Sequence, residues 1–237
     1  MTSSDTFERG GDASVVRLER HYPHPPEKVW RAVTTPEHLA AWFPSRVEVD
    51  LRVGGPMRFA DDPNLPGETN GRVTDLEPPR VFAFSWEDDH IRLELEPQAG
   101  GTLLLLVHTF GDTYGAASFA SGWDSCLADL GAGLDGREPD RRRPSAEDHQ
   151  RYLLLFGLDA GEAAQVDDGW RVRFERQLTT PAAEVRDVAQ AWPDDVAWEL
   201  REGTGHGPRL VVTVPAGSRQ EADAAEAEWR ARLGHLH

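Results

Sequence analysis

Chemistry-bearing residues at chemical spacing are few in this chain. His108 is the exception that draws attention: with Leu104, Leu106 and Phe110 it occupies every second position of one apolar run. If that strand face lines a cavity, an imidazole there can act as an acid–base group or hydrogen-bond a ligand. The commoner state of such a histidine is a satisfied place in the core or at its rim. His108 is therefore a lone catalytic candidate, with no second group to form a set. Arg58, Glu94 and Asp124 are polar residues that the same cavity can use. The close pairs His21/His24 and His235/His237 flank a proline turn and the last residues, and no metal site is expected of either. Cys126 lies at helical spacing with Trp123 and Leu127, where a thiol packs as a small hydrophobe. No phosphate-binding loop, dinucleotide turn or nucleophile elbow occurs, so no cofactor is expected. The arginines at 137, 141, 142 and 143 alternate with Glu138, Asp140, Glu147 and Asp148, as a solvated linker does rather than a phosphate site.

The elements that position these residues follow from periodicity. Val16 and Leu18 alternate in a strand that ends at Tyr22. Pro25 and Pro26 open a helix with Val29, Trp30 and Val33 on one stripe. Thr35 and Pro36 start a second helix that turns Leu39, Trp42 and Phe43 inward. Strand-like runs follow at about 46–53, 56–60, 70–77, 80–87, 90–97 and 102–110. They are broken at Gly54-Gly55, Pro63 to Gly67, Pro78-Pro79, Asp88-Asp89 and Gly100-Gly101. Ile91, Leu93 and Leu95 share one face, and Arg92, Glu94 and Glu96 the other, as in an antiparallel sheet covered on one side. A helix over about 114–134 carries Phe119, Trp123, Cys126, Leu127, Leu130 and Leu134 at helical spacing, and Gly136 stops it. Residues 1–14 read as a polar tail and 137–169 as a charged linker with a helix capped by Ser145. Residues 170–237 read as strand, helix, hairpin and helix, the last capped by Ser218 with Glu221.

Composition narrows the function classes. The 237 residues carry 25 Lys and Arg against 41 Asp and Glu, a net charge of −16, of which −11 falls on 1–136 and −5 on 137–237. That balance opposes binding to nucleic acid or to anionic membranes. A single cysteine excludes an intrachain disulfide, the first residues lack an apolar signal core, and the run Leu103 to Val107 is too short to span a bilayer. A cytoplasmic, soluble protein is expected.

The chain also resembles itself. VRLERHYPHPPEKVWRAV (16–33) aligns with VRFERQLTTPAAEVRDVA (172–189), and IRLELEPQAGGTLLLLV (91–107) aligns with VAWELREGTGHGPRLVVT (196–213) with one inserted residue. A Trp-bearing helix follows each second block. Between the blocks, residues 34–90 in the first copy reduce to 190–195 in the second. The pattern predicts a truncated second copy at 170–237, lacking the middle strands. So small a unit has a marginal core, which points to support from the first domain, from the 145–156 helix or from a partner chain, a homodimer included.

These residues carry a family likeness. Val15 to Phe43, with PPEKVWRAVTTPEHLAAWF, resembles the opening of bacterial homologues of the activator of the heat-shock-protein-90 ATPase, within the SRPBCC or START-like helix-grip superfamily. Gly54-Gly55-Pro56-Met57-Arg58-Phe59 looks like the family's Gly-Gly hairpin, and Gly71 to Trp86 like its central strands. Gly101 to Phe110 and Gly122 to Leu127 look like its last strand and closing helix. The likeness implies an α+β helix-grip fold over 15–136, an antiparallel sheet curled around one long C-terminal helix with a cavity between. It implies a non-catalytic protein holding a small apolar or amphipathic ligand, with Trp42, Phe59, Phe82, Phe84, Trp86, His108, Phe119, Trp123 and Leu127 as cavity residues. The other readings are a protein-interaction module related to chaperone ATPase activators, and an aromatase/cyclase-like enzyme acting in the cavity.

Overall fold

The structure, a computed structural model, describes residues 4–60, 68–204 and 207–236. The expected Pro63 to Gly67 turn and His237 lie outside the described residues. The chain divides into two units, one of residues 1–113 and 122–143, the other of 114–121 and 144–237.

The first unit is built on an eight-stranded antiparallel sheet. In chain order its strands are β1 (Thr6–Glu8), β2 (Ser14–Tyr22), β3 (Arg46–Val49), β4 (Pro56–Ala60), β5 (Thr69–Glu77), β6 (Val81–Trp86), β7 (Asp89–Gln98) and β8 (Gly101–Phe110). Across the sheet they run β1-β2-β8-β7-β6-β5-β4-β3. Strands β3 to β8 are therefore a meander of hairpins, and β2 closes it by pairing with β8 along its whole length, from Ser14 opposite Phe110 to Tyr22 opposite Thr102. Alternation puts Val16, Leu18, Met57, Phe59, Phe82, Phe84, Ile91, Leu93, Leu104 and Leu106 on the buried face. Helices α1 (Pro26–Thr34) and α2 (Pro36–Trp42) join β2 to β3, and α3 (Ala116–Leu134) follows β8. Gly136 ends that region at φ 72°, a left-handed backbone that glycine adopts without cost. Thr35 stands at the N-cap of α2, but its side chain makes no capping hydrogen bond.

One expectation needs correction here. Residues 1–14 are not a tail, because Thr6 to Glu8 pair with Val15 to Arg17 as an edge strand. The pairing is pinned by Asp5, which is buried and grips Arg20 (below). Phe119 is half-buried and lies in the 114–121 segment that groups with the second unit.

The second unit has α4 (Ala146–Leu155), β9 (Glu162–Val166), β10 (Gly169–Gln177), α5 (Ala182–Ala189), β11 (Ala197–Arg201), β12 (Arg209–Ala216) and α6 (Arg219–Leu233). Ser145 and Asp148 form a full capping box on α4. Ser218 accepts from the Glu221 amide on α6, while the Glu221 carboxylate reaches the Gly217 amide rather than that of Ser218. β9 falls in the segment expected to be linker, so that boundary is also corrected. Its sheet order is β11-β12-β10-β9, the order of the first four strands of the large sheet, β7-β8-β2-β1, read element for element. Val172, Phe174, Leu210, Val212, Val185, Trp192, Ala222, Trp229 and Leu233 form its core.

Candidate functional site

The site is best built from Phe43, where α2 ends. Its ring sits 6.0 Å from Phe59, 6.1 Å from Phe84, 5.3 Å from Trp86 and 5.6 Å from Trp123, centroid to centroid. Phe59 stacks on Trp86 at 4.8 Å, and Phe82 joins Phe84 at 5.1 Å. Strand alternation delivers Phe59, Phe84 and Trp86 to one face, while Trp123 comes from α3. Each such ring pair contributes about 0.5–1.5 kcal/mol beyond the burial of its area. The polar atoms of the tryptophans are all used: Trp42 donates to the Ala32 carbonyl at 3.0 Å and Trp86 to Thr69 Oγ1 at 2.9 Å. Phe59 also lies over Gly71 on the neighbouring strand, where a Cβ would come within 3.1 Å of its ring.

His108 sits at one end of this cluster, 3% exposed. Trp123 Nε1 donates to His108 Nδ1 at 3.1 Å, and His108 Nε2 lies 2.9 Å from Asp89 Oδ2. An indole N–H can only donate, so Nδ1 must be the bare nitrogen and the proton sits on Nε2, where it is given to the carboxylate. The imidazole thus spends both nitrogens on its own fold. It is a positioned core histidine that ties β7, β8 and α3 together, and no ring nitrogen faces open space.

A second polar group holds α3 to the sheet further along. Leu18, Arg20 and Tyr22 share the inner face of β2. Arg20 makes a bidentate pair with Asp5, at 2.7 and 3.1 Å, and reaches Asp124 on α3 at 2.5 Å. Tyr22 donates its hydroxyl to the Leu127 carbonyl at 2.8 Å. Burial pushes the Tyr22 phenol above its usual range; Arg20 opposes that and Asp124 adds to it. Arg20, Tyr22, Asp124, Leu127 and Gly131 line a shallow groove of about 300 Å³. At the end of α3, Lys28 donates to the Leu134 carbonyl at 2.6 Å and His24 pairs with Asp135 at 2.8 Å.

The structure brings together Phe59, Phe84, Trp86 and Trp123, with Phe82 and His108 adjoining. Trp42 is buried beside Phe43, and Leu127 is buried at the groove. Phe43 was legible only as an inward residue, yet its ring touches five others. Arg58 and Glu94 are corrected: both lie on the outer face of the sheet, Arg58 exposed and Glu94 paired with Arg92 at 2.5 Å. Asp124 points inward but is committed to Arg20. Cys126 is half-buried. The arginine-rich segment is tethered rather than loose, since Asp129 accepts the Arg141 amide and Arg141 donates to the Ala40 carbonyl at 2.7 Å. Among the described residues, no helix is long and apolar enough to cross a membrane.

The profile of the Activator of Hsp90 ATPase homolog 1-like protein family matches residues 23–135. That segment is similar to this family. The fold agrees with solved relatives. CalU16 from Micromonospora echinospora is 29% identical at a TM-score of 0.54, covering 65% of this chain and 98% of its own. A conserved protein of unknown function from Enterococcus faecalis is 26% identical at a TM-score of 0.54, covering 64% of this chain and 90% of its own. No protein with a curated description matches the chain significantly. The α+β helix-grip reading of the first unit therefore stands, and the fold is that of a ligand-binding or interaction module.

Proposed function

We propose that this Activator of Hsp90 ATPase homolog 1-like domain binds one small apolar or amphipathic molecule between its large sheet and α3, without catalysis. The observation that carries this reading is the Phe43-centred ring cluster. Trp123 of α3 meets the rings of Phe43 and Trp86 on the opposite side at 5.6 and 6.5 Å, centroid to centroid. Flat rings on rotatable bonds are the side chains that can part to admit another flat or apolar body. A cyclase-like role needs a free nitrogen on His108, and Asp89 and Trp123 occupy both. The lone cysteine fits a reducing compartment, and we place the protein in the cytoplasm.

The test is native mass spectrometry of the purified full chain, followed by thermal shift and tryptophan fluorescence with 2-naphthol and decanoate. A bound mass, or a saturable rise in melting temperature with quenching, is expected. A bare mass together with no saturable response to either probe overturns the reading.

A further inference from the structure

The small sheet repeats the strand order of the large one but stops short. In the first unit the edge of β7 away from β8 is taken by β6, with Phe82 opposite Leu93. Leu93, itself opposite Leu106 of β8, is 2% exposed. In the second unit β11 holds the place of β7, with Trp198 opposite Val212 of β12. Among the described residues nothing follows β11 in the sheet. Trp198 is consequently 36% exposed although it sits on the core face, 6.1 Å from Trp192. Apart from its short length and the charges of Glu199 and Arg201, the open edge carries no proline, no lysine and no bulge in its register with β12.

We infer that a second copy of this chain covers that edge, its β11 pairing antiparallel with the first about a two-fold axis at Leu200. The sequence of β11 is complementary to itself in this register. Glu199 and Arg201 are both exposed on the outer face and pair with each other within the strand. With Leu200 opposite Leu200 of the second copy, each Glu199 stands opposite an Arg201, giving two equivalent cross-strand ion pairs. Direct cross-strand neighbours sit at about 4.5–5.5 Å between Cβ atoms, within reach of both side chains. Trp198 and Leu200 are then covered on the core face, as Phe82 of β6 covers Leu93 in the first unit. The interface is isologous, as a closed dimer requires. Edge strand β3 also carries Arg46-Val47-Glu48, but Val47 is already buried and α2 packs beside the strand, so it leaves no apolar surface to cover.

Sedimentation velocity of the full chain over a concentration series tests this, with circular dichroism to show that each variant is folded. The wild type should dimerise. Arg201→Glu and Glu199→Arg each put like charges opposite one another twice, so each alone should be monomeric. Mixing the two variants should give a heterodimer, and the double variant with both exchanges should dimerise again. A wild type that stays monomeric, a single variant that dimerises like wild type, or a mixture that stays monomeric overturns the inference.

Discussion

Replacing Trp123 by Phe isolates the hydrogen bond on which the His108 assignment rests. The ring stays, so the aromatic cluster keeps its centre, but the indole N–H is lost. His108 Nδ1 then remains as a buried acceptor, since the histidine is 3% exposed. An orphaned buried polar atom costs about 1–3 kcal/mol. The smaller ring also leaves part of the indole volume empty, adding about 1 kcal/mol. The total of about 2–4 kcal/mol is a large part of the stability of a domain. Replacing His108 by Phe orphans the Trp123 N–H instead, while Asp89 is partly exposed and rehydrates. The double variant orphans neither group, so it should be less damaged than the two singles summed, by about 1–2 kcal/mol. Because the chain holds two units, hydrogen exchange of the β7 and β8 amides is the better assay, reporting the opening of this sheet alone. Nitrogen NMR of the imidazole supplies a second reading, with Nε2 protonated in the wild type. Additive single effects, or a proton found on Nδ1, would refute the reasoning. A cost below about 0.5 kcal/mol for Trp123→Phe would do so as well, since surface-like changes fall in that range.

Asp5 offers a sharp check on the first strand. It is 4% exposed and holds Arg20 by two bonds, so Asp5→Ala should cost about 1–3 kcal/mol and release the Thr6–Glu8 amides to exchange, as followed by mass spectrometry. Unchanged protection there would mean that the pair does not hold β1. Stability should also fall in acid in two steps. Burial first, then Arg92, holds the His90 pKa down, so the unfolded chain takes up that proton more readily than the folded one. The loss therefore begins as pH falls through about 6.5, the unfolded value, and levels off once folded His90 is protonated too. His90→Gln should remove that step from urea midpoints measured against pH. Below it, Asp75 is held low by Arg92, and Asp135 by Arg137 and then His24. Their contributions are present above about pH 4 and are lost as pH falls through their lowered values.

The strands of the meander were legible because each carries its own signal: Ile91, Leu93 and Leu95 alternate with charged residues, and glycine or proline marks the breaks. Helix 114–134 was legible by its stripe. What escaped was held by pairing across distance. β1 has three residues and no apolar pattern, and the Asp5–Arg20 and Glu8–Arg17 pairs that help anchor it join residues fifteen and nine positions apart. β9 is a half-exposed edge strand, Glu-Ala-Ala-Gln-Val, that periodicity does not separate from a linker. The environment of His108 depends on Asp89 and Trp123, brought in from a neighbouring strand and a helix. Some signal was present and unread. Arg58 stands between the buried Met57 and Phe59, which already placed it on the outer face. Arg20 stands between Leu18 and Tyr22 on one face, which placed it against the helix.

The closure of the large sheet by β2 also sets an order of events during synthesis. β2 is made first, but its partner β8 starts 79 residues after β2 ends. At roughly 5–20 residues per second, β2 waits about 4–16 s on the ribosome while β3 to β7 zip together from local hairpins. When β8 emerges, its Leu103 to Val107 run has β7 on one side and an open edge on the other until β2 arrives. The same dependence means that the family-matched segment 23–135, cut out by itself, would leave that run of leucines as a bare, uncharged edge, the form of strand that captures other chains.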